Sequence, residues 1–212
     1  MKPIPRRFAS SLPVAVLPTP GVPVTHIINV FRGLLEMLRL KVLNETGDEG
    51  LGSAVAARIA EVYGFDVVVE NGLVSSAEKA WNSQRRQYDA EKLVKHIHPG
   101  EPFVLILTGR DLYVEGLNFV FGYAPPPVGV LSIHRLKPSV EVGGFGRSLL
   151  LDRVLKEAVH EVGHLIGLRH CNAGSCVMSF SNSVDEVDLK SGELCERCRG
   201  RATFLLRQLH SR

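Results

Sequence analysis

The chain has 212 residues, of which 45% are hydrophobic and 22% are charged, a profile typical of one globular domain, with or without a small appendage. The 25 basic and 22 acidic residues leave a net charge of only +3, too mild to indicate nucleic acid as the main partner. The composition excludes a disordered or collagen-like chain, and no stretch approaches the roughly 18 consecutive apolar residues of a membrane span.

The N-terminal residues imitate a secretory signal only faintly, because Pro13, Pro18 and Pro20 interrupt the apolar run. We therefore expect a cytoplasmic protein that begins with a strand over 14–17 and continues with a helix capped by Thr25. All four cysteines lie between Cys171 and Cys198, and such a cluster in a reducing compartment favours metal binding over disulfides.

Helical and strand-like segments alternate over the first 135 residues, which is typical of an α/β layer with a mostly parallel sheet. Residues 103–108 form a continuous apolar run, as expected for a strand buried on both faces. Periodicity also predicts helices over 52–63 and 78–96, and strands over 66–69, 118–122 and 128–134.

The next predicted helix, over 148–168, carries the first chemical motif. Its apolar residues make one stripe, and His160 and His164 project from the opposite face. Residues four apart are neighbours on a helix, so the two imidazoles can converge on one ion with Glu161 at the rim. This H-E-x-x-H pattern is typical of zinc sites in which the glutamate is the general base, whereas the alternative is a solvated helix face.

The residues after this helix extend the motif to H-E-x-x-H-x-x-G-x-x-H, the metzincin signature, and Met178 follows as the candidate Met-turn residue. His170 could not reach the same ion if the helix continued, because six residues advance the chain about 9 Å along the axis. Gly167 can adopt a positive φ, end the helix and turn the chain back. Three neutral imidazoles would leave a fourth zinc position for water, as at a catalytic site.

The cysteines predict a second metal site. Four thiolates with these spacings suit a tetrahedral structural zinc, which makes two zinc ions per chain; the alternatives are buried apolar cysteines with exposed thiols or a redox C-x-x-C. Since His170 and Cys171 are adjacent, this zinc should hold the loop that carries the third histidine ligand. The four predicted ligands are Cys171, Cys176, Cys195 and Cys198.

Together these motifs resemble the archaemetzincin family, in which the histidine motif is followed at once by Cys171, then by Cys176, Met178 and a C-x-x-C. Residues 111–113 and 118–122 are also similar to that family. The resemblance implies a zinc metallopeptidase with a metzincin-like α/β (α+β) fold and a mixed, mostly parallel twisted sheet. It further implies a cleft between an upper subdomain, residues 1–170, and a small zinc-stapled lower subdomain, residues 171–212.

The resemblance also implies roles for single residues. His160, His164 and His170 would bind the catalytic zinc, and Glu161 would take a proton from the zinc-bound water and pass it to the leaving amine. Met178 would lie beneath the ligands, and the strand over 128–134 would form the cleft edge, where a peptide or protein substrate adds as a strand. We expect a monomer with no membrane partner.

One residue departs from the pattern of some metzincins, which place a tyrosine two residues after the Met-turn methionine. Phe180 stands there, so that position supplies no phenol to stabilise the transition state. The rival function is a non-catalytic zinc-binding protein whose basic C-terminal helix contacts nucleic acid or protein, although such arginines are more often a solubilising face. Those arginines are Arg197, Arg199, Arg201 and Arg207.

Overall fold

Two β-sheets organise the computed structural model, which describes residues 38–75, 77–97, 100–139 and 144–211. The strand predicted over 14–17 and the helix predicted after Thr25 lie outside these residues. In chain order the strands are β1 (Arg39–Asn44), β2 (Asp66–Asn71), β3 (Trp81–Asn82), β4 (Gln87–Asp89), β5 (Phe103–Thr108), β6 (Leu112–Tyr113), β7 (Gly122–Tyr123) and β8 (Val128–Ser132).

The larger sheet has five strands in the order β2-β1-β5-β8-β7. Its neighbours are parallel except β7, which pairs antiparallel with β8 at the end of the sheet. The smaller sheet has the order β3-β4-β6. The predicted fold class, a mixed and mostly parallel sheet with helices, is confirmed.

Five α-helices are found among the described residues. They are α1 (Glu49–Tyr63), α2 (Ala90–Lys95), α3 (Phe145–Leu165), α4 (Val184–Leu189) and α5 (Glu196–His210). None of the helices in this part of the chain combines the length and apolarity that crossing a membrane requires.

The central strand β5 is buried on both of its faces, as its apolar run predicted. Leu105 and Leu107 pack into a core with residues of α1 and α3, whereas Val104 and Ile106 pack into a second core with residues of α2. A strand covered by helices on both sides needs no polar face, which explains the unbroken apolar sequence. This layering places α3, which carries the histidines, directly against the sheet.

The helix predicted over 78–96 is wrong, because only Ala90–Lys95 is α-helical and a hairpin of β3 and β4 precedes it. Trp81 and Tyr88, seven residues apart, face each other across the hairpin with ring centroids 4.9 Å apart. The Asn82 carboxamide accepts hydrogen bonds from the next residues, Gln84 and Arg85, and so builds the turn. A seven-residue spacing suits both a helix and this cross-strand pair.

The strand predicted over 118–122 is also displaced, since β7 begins at Gly122 and Val120 forms only an isolated bridge with Leu112. The expectation that residues 128–134 form the cleft edge is wrong as well. β8 lies inside the sheet between β5 and β7, so its backbone is paired on both sides. Among the described residues, the outer strand at this end of the sheet is β7.

Candidate metal centre

The turn after α3 returns the chain toward the helix, as the sequence predicted for Gly167. Gly167 has a φ of 96°, in a region that an L side chain rarely adopts. Its N–H donates to the carbonyl of His164 (2.9 Å), and the Leu168 N–H donates to that of Gly163 (2.8 Å). These two bonds form a Schellman motif, which ends the helix and leads the chain to His170.

The three predicted histidine ligands converge. The Nε2 atom of His164 lies 3.0 Å from Nε2 of His160 and 3.2 Å from Nε2 of His170. Tetrahedral zinc with Zn–N bonds of about 2.05 Å would place its ligand nitrogens about 3.3 Å apart. The spacing of the imidazoles therefore suits a single zinc ion.

The hydrogen bonds of two of these imidazoles also suit a metal. The Nδ1 atom of His160 lies 2.8 Å from the Val177 carbonyl, and that of His164 lies 2.9 Å from the Leu168 carbonyl. Because a carbonyl can only accept, each Nδ1 carries the proton and each Nε2 presents a lone pair. Burial lowers the pKa of both imidazoles, which keeps them neutral. Two lone pairs 3.0 Å apart repel each other unless a cation lies between them.

Glu161 is a buried carboxyl beside the histidines, with 5% of its surface exposed. Burial raises its pKa well above the usual range, the charge of Glu157 adds to the rise, and Lys190 opposes it. The carboxylate packs against the backbone of Gly122 so closely that a Cβ atom there would overlap it. Glu161 therefore lies between the histidine cluster and the outer strand β7, not on a solvated face.

A buried ion pair, which the sequence reasoning missed, lies behind this carboxyl. The Lys190 ammonium is 2.6 Å from the Glu157 carboxylate, and both side chains are almost completely buried. Lys190 Nζ also donates to the Ser179 carbonyl at 3.4 Å. Glu157 precedes Glu161 by one helical turn, but no sequence signal joins it to a lysine 33 positions later.

Met178 lies fully buried under the histidine helix, as expected for the Met-turn residue. Its sulfur fills the space over Gly163, where a Cβ atom would overlap it. The Met178 carbonyl accepts a hydrogen bond of 2.8 Å from the Cys171 N–H. Phe180, in contrast, is half exposed and packs edge-on against the His170 ring with centroids 5.0 Å apart.

The four cysteines form a second cluster, with sulfur atoms all within 4.8 Å of one another. The Sγ atoms of Cys171 and Cys195 are 3.9 Å apart, close to the roughly 3.8 Å expected for two thiolates on tetrahedral zinc. The backbone N–H of Ala173 is the main cause that lowers the pKa of Cys171 to about 7, and the Arg197 guanidinium also contributes. Four converging sulfurs favour a metal site over a redox pair.

A cavity of about 670 Å³ opens beside the histidines. Its lining comes from residues before and within β7, from α3, and from Phe180 and its two successors. Its lining includes the predicted ligands and base, namely His160, Glu161, His164 and His170. A bound molecule in this cavity would contact the metal centre directly.

Three of the four arginines on α5 already have partners within the chain. Arg199 is 3.5 Å from the Glu193 carboxylate, Arg201 lies over the Phe204 ring, and Arg197 donates to the Cys171 sulfur. Such contacts are typical of a solvated helix face. They do not favour the rival function in nucleic-acid binding.

Comparison with known proteins identifies close similarities. A profile described as peptidase family M54 matches residues 53–203. The archaemetzincin of Saccharolobus solfataricus is 38% identical over 137 residues, covering 63% of this chain and 75% of that protein. The archaemetzincin of Aeropyrum pernix is 42% identical over 130 residues, covering 58% of this chain and 69% of that protein.

Solved structures agree with these sequence matches. The crystal structure of archaemetzincin from Methanopyrus kandleri matches with a TM-score of 0.71 and 35% identity, covering 81% of this chain and 97% of that chain. The archaemetzincin of Archaeoglobus fulgidus, solved with malonate, matches with a TM-score of 0.68 and 34% identity, covering 77% and 99% respectively.

Proposed function

The chain belongs to peptidase family M54, the archaemetzincins, and is a zinc metallopeptidase, and on this premise we propose that His160, His164 and His170 hold the catalytic zinc while Glu161 is the general base. The observation that supports this assignment best is the set of neutral imidazoles whose unprotonated Nε2 atoms face one another. Without a cation between them, the lone pairs on these nitrogen atoms would repel one another.

Each group has a defined chemical task in this proposal. Zinc, when bound, makes a water molecule more acidic and polarises the carbonyl of the scissile bond. Glu161 removes a proton from the attacking water and delivers it to the leaving amine, a task that suits a carboxyl whose pKa burial has raised. The Val177 and Leu168 carbonyls hold His160 and His164 in the tautomer that binds metal.

The cavity supports the proposed division into an upper subdomain, residues 1–170, and a lower one, residues 171–212. Its lining includes residues before and on α3, which belong to the proposed upper subdomain, and Phe180, Ser181 and Asn182, which belong to the proposed lower one. A peptide or protein chain lying in this cleft would meet the histidines and the outer strand β7 together. Pairing with β7, not with β8, would then align the substrate backbone.

We propose two zinc ions per chain, one at the histidines and one at the cysteines. We expect metal analysis of the purified protein to find two zinc ions, and mild chelation to remove the histidine-bound one first, because three imidazoles bind zinc less tightly than four thiolates. Elemental analysis during stepwise chelation measures this order. A maximum of one zinc per chain under zinc-saturating conditions would contradict the second site.

The role of Glu161 is tested by Glu161→Gln, which keeps the shape of the side chain but cannot accept the proton. We expect hydrolysis of a peptide library, followed by mass spectrometry, to fall about 10²- to 10⁴-fold with the zinc content unchanged. Glu78→Gln, an exposed change outside both the histidine and the cysteine clusters, is the control and should keep full activity. Near wild-type hydrolysis by Glu161→Gln would refute the proposed base.

A further inference from the structure

Residues 114–120, here called the rim segment, contribute Val114 and residues 117–120 to the lining of the cavity. Residues 115–118 are exposed, and Gly116 has a φ of 85°, so the chain makes a protruding turn. Its own backbone bonds are few: the Leu117 N–H donates to Val114 and the Val120 N–H donates to Leu112. Such a segment needs external contacts to keep one position.

Two side chains of the β3–β4 hairpin supply those contacts. One guanidinium nitrogen of Arg85 donates to the carbonyls of Leu117 (2.7 Å) and Asn118 (3.1 Å). The buried Gln87 carboxamide donates to the same Asn118 carbonyl at 3.0 Å. Arg85 also lies over the ring of Tyr113, 4.2 Å from its centroid, which restricts the guanidinium.

Asp111 extends the same network to the aromatic part of the rim segment. It accepts a hydrogen bond from Gln87 and two bonds of 2.7 Å from the fork of Arg135. Arg135 in turn lies over the Phe119 ring, 4.4 Å from its centroid, and Phe119 lines the cavity. Burial alone would raise the pKa of Asp111, but the hydrogen bond and the charge of Arg135 together hold it below its usual value, so the pair stays charged.

We propose that Arg85, Gln87, Asp111 and Arg135 are positioning residues that hold the rim segment as a substrate-binding wall. This inference rests on the proposed function, because it takes the cavity as the peptide-binding cleft. None of the four side chains lines the cavity, so they act through the rim segment and not on the reacting atoms.

The structure separates this wall from the catalytic centre. Gly122, which contacts Glu161, is held by strand pairing with Leu131, and the Phe121 carbonyl accepts a bond of 2.7 Å from the Ser132 N–H. Loosening the rim segment therefore leaves β7 and Glu161 in place. The cost should fall on substrate binding, which raises KM, and not on the chemical step, which sets kcat.

The experiment compares Arg85→Ala and Arg85→Lys with Arg147→Ala, which removes an exposed ion pair with Asp48 on another part of the chain. Steady-state kinetics use a fluorogenic peptide that the wild type cleaves. We expect Arg85→Ala to raise KM about fivefold with kcat changed less than about twofold, a difference worth about 1 kcal/mol in binding. Arg85→Lys should recover part of the loss because an ammonium still donates to both carbonyls.

Hydrogen–deuterium exchange on the same zinc-loaded proteins tests the wall without relying on activity. We expect faster exchange confined to residues 114–120 in Arg85→Ala and no change in Arg147→Ala. Unchanged exchange there, or faster exchange with an unchanged KM, would overturn the inference. Failure of the proposed function is a different result, namely wild-type hydrolysis that Glu161→Gln retains, and the exchange data would still decide about the rim segment.

Discussion

Close packing, and not helix propensity, explains why glycine occupies position 163 inside the histidine motif. Glycine in a helix interior costs roughly 1 kcal/mol relative to alanine, so a mid-helix glycine needs a reason. Here a Cβ atom would overlap the Met178 sulfur and would lie 2.9 Å from its Cε and 3.0 Å from the Tyr63 hydroxyl. The missing side chain lets Met178 approach α3 beneath the histidine cluster.

Gly163→Ala should therefore destabilise the protein by about 1–3 kcal/mol through overpacking, although alanine favours helix. Gly200→Ala is the matched control, because Gly200 lies on α5 with open space around its Cα and should gain up to about 1 kcal/mol. Urea unfolding of both variants measures whether each substitution raises or lowers the free energy of unfolding. Equal stabilisation by both substitutions would show that the Met178 side chain moves aside for the added methyl group at little cost.

The loop between α3 and α4 joins the two proposed zinc sites. His170 belongs to the histidine cluster and Cys171 to the cysteine cluster, and Cys171 is bonded to the Met178 backbone. Next to Met178, the Val177 carbonyl orients His160. This loop therefore carries one proposed ligand of each zinc site, His170 and Cys171, and also the Val177 carbonyl that orients His160.

Cys195→Ser should weaken zinc binding at the histidines roughly tenfold, because losing a support of the ligands typically costs this much. Zinc titration against a competing chelator, with hydrolysis as the readout of the histidine site, measures the change. Asp48→Ala, which removes the N-cap of α1, controls for general destabilisation. Equal affinities in Cys195→Ser and the wild type would show that the sites are independent.

At the scale of the molecule, Arg153 on α3 joins segments that are far apart in the sequence. Its guanidinium makes two bonds of 2.7 Å to Asp188 on α4 and one of 2.9 Å to the Leu136 carbonyl. The hydrogen bond from Arg153 lowers the pKa of Asp188, against a smaller effect of burial. The unfolded chain therefore takes up the proton first as the pH falls, and the stability that the pair supplies is lost on acidification.

Asp188→Asn should accordingly be less stable than the wild type at neutral pH, with the difference shrinking as the pH falls below about 4, the usual aspartate pKa. Urea unfolding at a series of pH values measures this difference. Asp185→Asn on the exposed side of α4 changes the same charge and should show little effect at neutral pH. A pH-independent difference would mean that the Arg153 pair does not couple to protonation.

The sequence by itself was enough to predict that three histidines converge, because the geometry of this motif is local. His160 and His164 are one helical turn apart, and Gly167 marks the reversal that brings back His170. The apolar run of β5 likewise indicated a strand covered on both faces. These features depend on a helical repeat, a backbone dihedral angle and the solvent on each side of one strand, all of which neighbouring residues define.

Only the tertiary structure decided the features that join distant residues. Trp81 and Tyr88 fit a helix and a hairpin equally, and their pairing across β3 and β4 became visible only in the folded chain. Which strand is outermost depends on every other strand, so β7 could not be recognised as the edge. The same reason applies to the Glu157–Lys190 ion pair and to the hydrogen bonds from Arg85 to the rim segment. The free energy of such contacts depends on which residues the fold brings close together. Residue types alone do not encode that proximity.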